Sequence, residues 1–226
     1  MKHEFLEEKQ RQRASSQRAL QTRERIMDAA EQEFARNGYD GASIRSIASE
    51  AEVPVALVNH HGGGKEALFW RVVARRAEDL STARQEALST QDAKGNSSVP
   101  ELLRCFIAPL LERADHGGAQ WLAYARLVAY VSADPRWEDL AAVCFDPTAQ
   151  VFVDRIAAHY PTHARAAVAS GFIYSIAAML ALLTSQWRMT ALGDGRIETS
   201  HRLDELVAFC ASGIDGCAAQ KADLGH

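Results

Sequence analysis

The chain has few cysteines and no apolar leader, and each shortage narrows what it can be. Four cysteines in 226 residues, at positions 105, 144, 210 and 217, are too few and too scattered for a disulfide framework, so reduced, mostly buried thiols are expected. The N-terminal MKHEFLEEKQRQRASSQ is polar and of mixed charge, and it lacks the apolar stretch a secretory signal requires. A cytoplasmic protein is therefore expected. Internal repeats are absent, no run alternates as a half-buried strand does, and only QDAKGNSSVP at 91–100 has the composition of a linker. Charge is missing from one long stretch, the 22 residues between Arg165 and Arg188. A run of that length can cross a bilayer. It is rich in alanine, however, it carries Ser170, Tyr174, Ser175, Thr184, Ser185 and Gln186, and no basic cluster flanks it. A helix buried on several sides is the expectation, with no membrane span.

What is present is helical periodicity. With 47% hydrophobic and 24% charged residues the composition is that of an ordinary globular protein, and the pattern predicts an all-α fold. The net charge of -4 is unevenly spread: residues 1–80 balance 13 basic against 13 acidic side chains, while the remainder holds 12 against 16. Between positions 9 and 25, Lys9, Arg11, Arg13, Arg18, Arg23 and Arg25 face only Glu24, which predicts a basic flexible arm over 1–20.

From Thr22 as N-cap, Ile26, Ala29, Ala30 and Phe34 share a face until Asn37-Gly38 stops the helix. Ser43 caps a second, short helix through Ile44, Ile47, Ala48 and Ala51. After Glu52-Val53-Pro54 a third runs from Val55 to His60, and Lys65 opens a long fourth to about Thr90. Further helices are expected near 100–114, 119–132, 136–145, 147–159, 163–190 and 202–219, punctuated by His116-Gly117-Gly118, Asp134-Pro135, Asp146-Pro147, Tyr160-Pro161 and Gly193-Asp194-Gly195.

The stretch VNHHGGGKEAL, 58–68, admits three readings: a phosphate loop, a metal site, or the edge of a DNA-binding element. A phosphate loop needs a glycine where Asn59 stands, a Ser or Thr where Glu66 stands, and a preceding strand. Adjacent histidines on a helix point about 100° apart and cannot share one ion, and no Asp, Glu or Cys lies at i+4 on their faces. The flanks favour the third reading, because two short helices joined by a tight turn form a helix-turn-helix.

The segment TRERIMDAAEQEFARNGYDGASIRSIASEAEVPVALVNHHGGGKEAL resembles the N-terminal domain of TetR-family transcriptional regulators. Ala30, Phe34, Gly38, Tyr39, Ser43, Ile47, Ala48, Ala51, Val53, Val58, His61, Lys65, Glu66 and Leu68 match its skeleton. The resemblance implies an N-terminal three-helix head over 21–66, joined by the long helix to a C-terminal helical domain over 67–226 that binds a ligand and dimerises. It also implies a ligand-responsive homodimeric repressor on a palindromic double-stranded operator. The third helix is expected to present Val55, Ala56, Asn59 and His60 to DNA while Leu57 and Val58 face the core. Asn59 suits adenine or a phosphate, and the apolar residues suit thymine methyls. His60 and Lys65 stand where the family touches phosphate, Ser43 is an N-cap that can also meet a phosphate, and Arg45 is either a phosphate contact or a solvated charge.

Three residues depart from the family pattern: Glu52 replaces the turn glycine, Pro54 the usual capping residue, and Gly62 the aromatic after the histidine. Gly62 is expected to leave a gap beneath the third helix, weakening its anchorage. In the C-terminal part, Tyr130, Trp137, Phe145 and the cysteines are expected in the core. Phe106, Trp121, Tyr124 and Phe152 are expected to line the site of a small, mainly apolar effector. The uncharged helix 166–187 and the helix 202–219 resemble the family's dimer-forming pair. The long helix belongs to both parts and is expected to carry an effector-driven pivot to the head.

An enzyme is the first competing reading. No nucleophile elbow, HExxH, dinucleotide fingerprint or paired carboxylates in a glycine-rich loop occur, so no catalytic residue, cofactor or metal is expected. The second is a TetR-like dimer with impaired DNA binding that acts as a small-molecule or protein-binding module, motivated by Glu52, Pro54 and Gly62.

Overall fold

A computed structural model describes residues 2–193 and 199–223, with side chains placed for 17–193 and 202–219. The side chains of Lys9, Arg11 and Arg13, and the Asp194-Gly195 part of an expected turn, lie outside the described residues. All regular structure among the described residues is helical. The chain divides into two compact units, one ending at Arg75 and the other beginning at Arg76.

The first unit holds α1 (Lys2–Gly41), α2 (Ile44–Glu50), α3 (Val55–Gly62) and the start of α4 (Lys65–Asp92). The segment expected as a flexible arm is helical from Lys2, so Thr22 lies inside α1 and caps nothing. Glu, Gln, Arg and Ala dominate residues 2–21, with no Gly or Pro to interrupt them. Gly38 breaks the helical geometry at φ 66°, the left-handed region glycine enters without a Cβ penalty. Apolar spacing along α1 buries Ile26, Ala30 and Phe34, and the head's other buried side chains are Ile47 and Ala48 of α2, Val58 of α3, and Leu68, Phe69 and Val72 of α4, among others. Phe69 lies edge-on to both Phe34 and Tyr39, with ring centroids 5.0 and 5.4 Å apart. Such pairs add about 0.5–1.5 kcal/mol beyond their buried area.

The second unit continues α4 and adds α5 (Val99–His116), α6 (Ala119–Ala133), α7 (Glu138–Cys144), α8 (Asp146–Ala157), α9 (Arg165–Thr184), α10 (Gln186–Leu192) and α11 (Thr199–Asp223). Single 3₁₀ turns, Pro135–Trp137 and Thr162–Ala164, precede α7 and α9. A capping box starts α5: the Glu101 carboxylate accepts from the backbone N–H of Ser98 at 2.7 Å. The helix expected over 163–190 is two, because Ser185 leaves helical geometry after its N–H closes α9 on the Ala181 carbonyl. No residue of α10 is buried, so packing does not hold it in line with α9.

Thr162–Thr184 is long and apolar enough to cross a membrane, with mean hydropathy 2.0, yet half of its most apolar window is buried inside the protein. Its main partner is α11. A Cβ on Gly171 would come within 2.9 Å of Ile214 Cγ1 and 3.2 Å of Ile214 Cα, so only glycine permits this approach. Of the expected core residues, Trp137, Cys105 and Cys210 are buried, whereas Tyr130, Phe145, Cys144 and Cys217 are half-buried.

Candidate nucleic-acid interface and effector site

The helix-turn-helix is built by backbone geometry. Ser43, extended at φ -132° and ψ 145°, caps α2 by accepting the Ser46 N–H at 3.0 Å, and its own N–H donates to the buried Glu33 carboxylate at 3.2 Å. At the other end the N–H of Val53 returns to the Ala48 carbonyl at 3.0 Å and that of Glu52 to Ser49 at 3.2 Å. This tight reversal needs a left-handed residue, and Glu52 supplies it at φ 54°, alone among non-glycine residues described. Pro54 then begins α3 at φ -60°, close to the angle its ring imposes, but without a side-chain cap.

α3 is anchored by Val58, which is fully buried, and by Gly62. Val55, Ala56, Asn59 and His60 are exposed, and so is Leu57 at 37%. The expectation that Leu57 faces the core is therefore corrected: in an eight-residue helix Val58 and Gly62, four apart, define the inner stripe, and residue 57 falls about 100° off it. The expected gap at Gly62 is also corrected. A Cβ there would meet Leu68 Cβ at 3.3 Å and both Leu68 methyls at 3.5 Å, so Leu68 already fills the space.

The glycine run that drew attention in the sequence is a helix-to-helix turn. Gly63 ends α3 at φ 72° and Gly64 follows at φ 97°, its carbonyl accepting from the N–H of Leu68. Arg71 reaches back to donate to the His61 carbonyl. Lys65 is half-buried, its Nζ donating to the Asp40 carbonyl at 3.2 Å and lying 4.7 Å above the Tyr39 ring. Arg45 is exposed and makes no ion pair among the described residues. Charge of the other sign is close by in sequence: Glu50 binds Arg36, and Glu52 is exposed.

One feature of the head went unnoticed in the sequence. Arg75 donates to Glu24 at 2.9 Å, Asp28 at 2.7 Å and Glu31 at 3.1 Å, and Glu31 is completely buried. Burial pulls the Arg75 pKa down, but the hydrogen bond to Asp28 and the charges of Asp28, Glu31 and Glu24 outweigh it and hold the cation above its ordinary value. Three acids spaced along one face of α1 were the available signal.

In the second unit the four expected effector residues are all buried in one core: Phe106 (4% exposed), Trp121 (6%), Tyr124 (1%) and Phe152 (0%). They meet in pairs. Phe106 lies edge-on to Phe152 at 5.1 Å and to Phe172 at 4.8 Å, and Trp121 lies edge-on to Tyr124 at 5.8 Å. Cations decorate this aromatic core. Arg76 and Arg113 sit 5.2 and 5.3 Å from the Trp121 ring, with Arg113 paired to Asp79 at 2.9 Å. Arg84 lies 3.6 Å over the Phe106 ring and donates its Nε–H to the Phe106 carbonyl at 2.9 Å. Burial pulls its pKa down to about 9, and at neutral pH it keeps its charge. A separate groove of about 430 Å³ lies among α9, α10 and α11, lined by Leu182, Met189, Leu206 and Phe209 with Arg202 and Glu205 at its polar edge. It contains none of the four expected residues.

A head of this build, with an exposed third helix after a tight turn, defines a helix-turn-helix regulator. Residues 26–72 match the family described as bacterial regulatory proteins, tetR family, and residues 104–213 match the tetracyclin repressor-like C-terminal domain. The chain belongs to the TetR family of transcriptional regulators, a family of regulators and not of enzymes.

It is 33% identical over 122 residues to the HTH-type transcriptional repressor SCO4008 of Streptomyces coelicolor, covering 49% of this chain and 62% of that one. Over 68 residues it is 40% identical to the HTH-type transcriptional regulatory protein RaaS of Mycobacterium tuberculosis, covering 30% and 32%. The chain thus matches less than two thirds of the length of either relative. Its fold resembles that of a TetR-like transcriptional regulator from Rhodococcus sp. RHA1, with 20% identity, a TM-score of 0.55, and coverage of 86% of this chain and 96% of that one.

Proposed function

We propose that the protein is a homodimeric, effector-responsive repressor that reads a palindromic duplex operator through α3. The observation that carries this reading is the outward face of α3, where Val55, Ala56, Leu57, Asn59 and His60 stand exposed while Val58 and Gly62 anchor the helix. Branched and methyl-bearing side chains pack on thymine methyls, and Asn59 can pair with adenine N6 and N7. α3 carries no Arg or Lys, so the bidentate contact to guanine has no donor there. The operator positions read by α3 are therefore A·T pairs. Ser43, Arg45, His60 and Lys65 serve the phosphates, which set register and affinity. Lys65 keeps donors for a phosphate after its bond to Asp40.

Dimerisation is supported by apolar side chains left exposed on α9 and α11: Ile173 (59%), Tyr174 (64%) and Phe209 (68%), beside Gly213 and Gly216, which face open space. A second copy covering them repeats the head, and two heads require two half-sites. The effector is small and mainly apolar, held by the aromatic core of the second unit, and the protein works in the cytoplasm.

A second reading, a dimer that binds a small molecule or protein and has lost DNA binding, is favoured by the left-handed Glu52 and its exposed carboxylate at the turn. Selection of bound duplexes from a random pool at two salt concentrations separates the two. Enrichment of an A·T-containing inverted repeat, weakening as salt rises, is the expected result. Failure to enrich any sequence at low salt would leave the second reading.

A further inference from the structure

We infer that the groove among α9, α10 and α11 is a second small-molecule site, and that its ligand is an uncharged, mainly apolar molecule with one hydrogen-bonding end. The groove contains none of Phe106, Trp121, Tyr124 and Phe152, and the inference does not rest on the effector reading above. At about 430 Å³ it falls within the roughly 300–1,000 Å³ of ligand-holding clefts, and like them it is apolar with a few polar groups. Ala178 and Ala181 of α9, one turn apart, line it with Leu206 and Phe209 of α11.

α10 gives the groove a complete face. Gln186, Met189, Thr190 and the C-cap Gly193 stand at i, i+3, i+4 and i+7, the spacing of a single helical stripe, and all of them line it. Yet no residue of α10 is buried, and Met189 is 45% exposed. A helix of seven residues is too short to hold itself in water, so its order comes from what packs on it. An apolar body in the groove buries Met189 together with the exposed Phe209, and it joins α10 to α9 and α11.

The polar groups set the ligand's charge. Arg202 and Glu205 stand at the edge of the groove with opposite signs, so a cation and an anion each meet one like charge there. Gln186 and Thr190 carry an amide and a hydroxyl, which donate or accept without favouring either sign. A concave site among three helices suits a small body better than a second chain, which needs about 800 Å² of matching surface from each partner.

N-phenylnaphthylamine, which fluoresces in apolar surroundings, and its sulfonate present one body without and with a charge. On the full-length protein the neutral compound is expected to bind roughly tenfold or more tightly than the sulfonate, whose charge loses water on entry. Ala181→Trp, which fills the groove, and Met189→Glu, which sets a charge on α10, should each weaken the neutral compound roughly tenfold or more, the worth of one buried apolar contact. Met189 is not buried, so Met189→Glu should melt as the parent does and carries the test if Ala181→Trp fails to fold. Phe106→Leu, in the aromatic core, should leave the affinity unchanged. The compound should also slow exchange of the Met189 and Gly193 amides, which donate to the Ser185 and Met189 carbonyls. Sulfonate bound as tightly as the neutral compound, affinity untouched by Met189→Glu, or exchange in α10 unchanged on binding would each overturn the assignment. Binding lost in Phe106→Leu alone would put the compound in the aromatic core, overturning the second site while the effector reading stands. A smaller species in sedimentation for Met189→Glu would give the groove to a second copy and overturn it as well.

Discussion

Replacing Glu52 by glycine should stabilise the head, and the size of the gain can be worked from the backbone. At φ 54° an L-residue carries a steric cost of about 1–2 kcal/mol that glycine escapes. Glycine in turn loses about 0.5–1 kcal/mol more backbone entropy on folding. Glu52 is exposed and its side chain makes no hydrogen bond or ion pair among the described residues, so truncation forfeits no contact. The strain cannot be relieved by rotating the residue, because the Val53-to-Ala48 and Glu52-to-Ser49 hydrogen bonds close the turn on it. The net expectation is a gain of about 0.5–1 kcal/mol.

Amide hydrogen exchange reads this locally. The amides of Ala51 and Val53, bonded to the Ile47 and Ala48 carbonyls, should exchange about two- to fivefold more slowly in Glu52→Gly than in the parent. Glu52→Gln retains the strain and should leave these rates unchanged, so the pair separates backbone conformation from charge. Unchanged or faster exchange in Glu52→Gly would mean that the turn stores no such strain.

Four further outcomes are expected. Lys65→Ala should weaken binding to all duplexes by a similar factor and lower the salt slope by about one, and an unchanged slope by fluorescence anisotropy would remove Lys65 from the phosphate contacts. Gly62→Phe should lower thermal stability by about 1–3 kcal/mol, since Leu68 already occupies the space, and a higher melting temperature would restore the gap expected from sequence. Gly171→Ala should cost a similar amount, about 1–3 kcal/mol, by pushing its Cβ against Ile214, visible as an earlier unfolding transition. An effector that lowers operator affinity must itself bind less tightly, by the same factor, when operator DNA is present. Calorimetric titrations with and without DNA that gave equal affinities would rule the coupling out.

Much of the fold could be read from residues alone because helix punctuation is local. Ser43, Gly38 and the glycines after α3 each act within a turn of their own position, whereas the capping box at Ser98 and Glu101 lies in what reads as the end of a linker. What could not be read depends on partners distant in sequence. Whether Leu57 faces in or out was decided by Val58 and Gly62 sharing the stripe that packs inward. Whether Gly62 leaves a hole depended on Leu68 across the turn. The break at Ser185 comes where the chain stops burying side chains, since no residue of α10 is buried, and the pattern of residues 163–190 does not mark that change.

The departures from the family pattern can now be weighed separately. Gly62 is accommodated, since Leu68 takes the place of the missing aromatic. Pro54 sits at φ -60° at the start of α3, where its ring fits, and it forgoes only a side-chain cap worth about 0.5–2 kcal/mol. Glu52 alone is both strained and negatively charged at the turn that presents α3. The reading in which the head has lost DNA binding therefore stands on one residue of its original three. If Glu52 is what holds the head back, Glu52→Gly and Glu52→Gln should both raise affinity for duplex DNA, with the larger effect at low salt where a carboxylate repels phosphates most. If neither substitution moves the affinity, Glu52 is no impediment, and the last of those three motives for a silent head is gone.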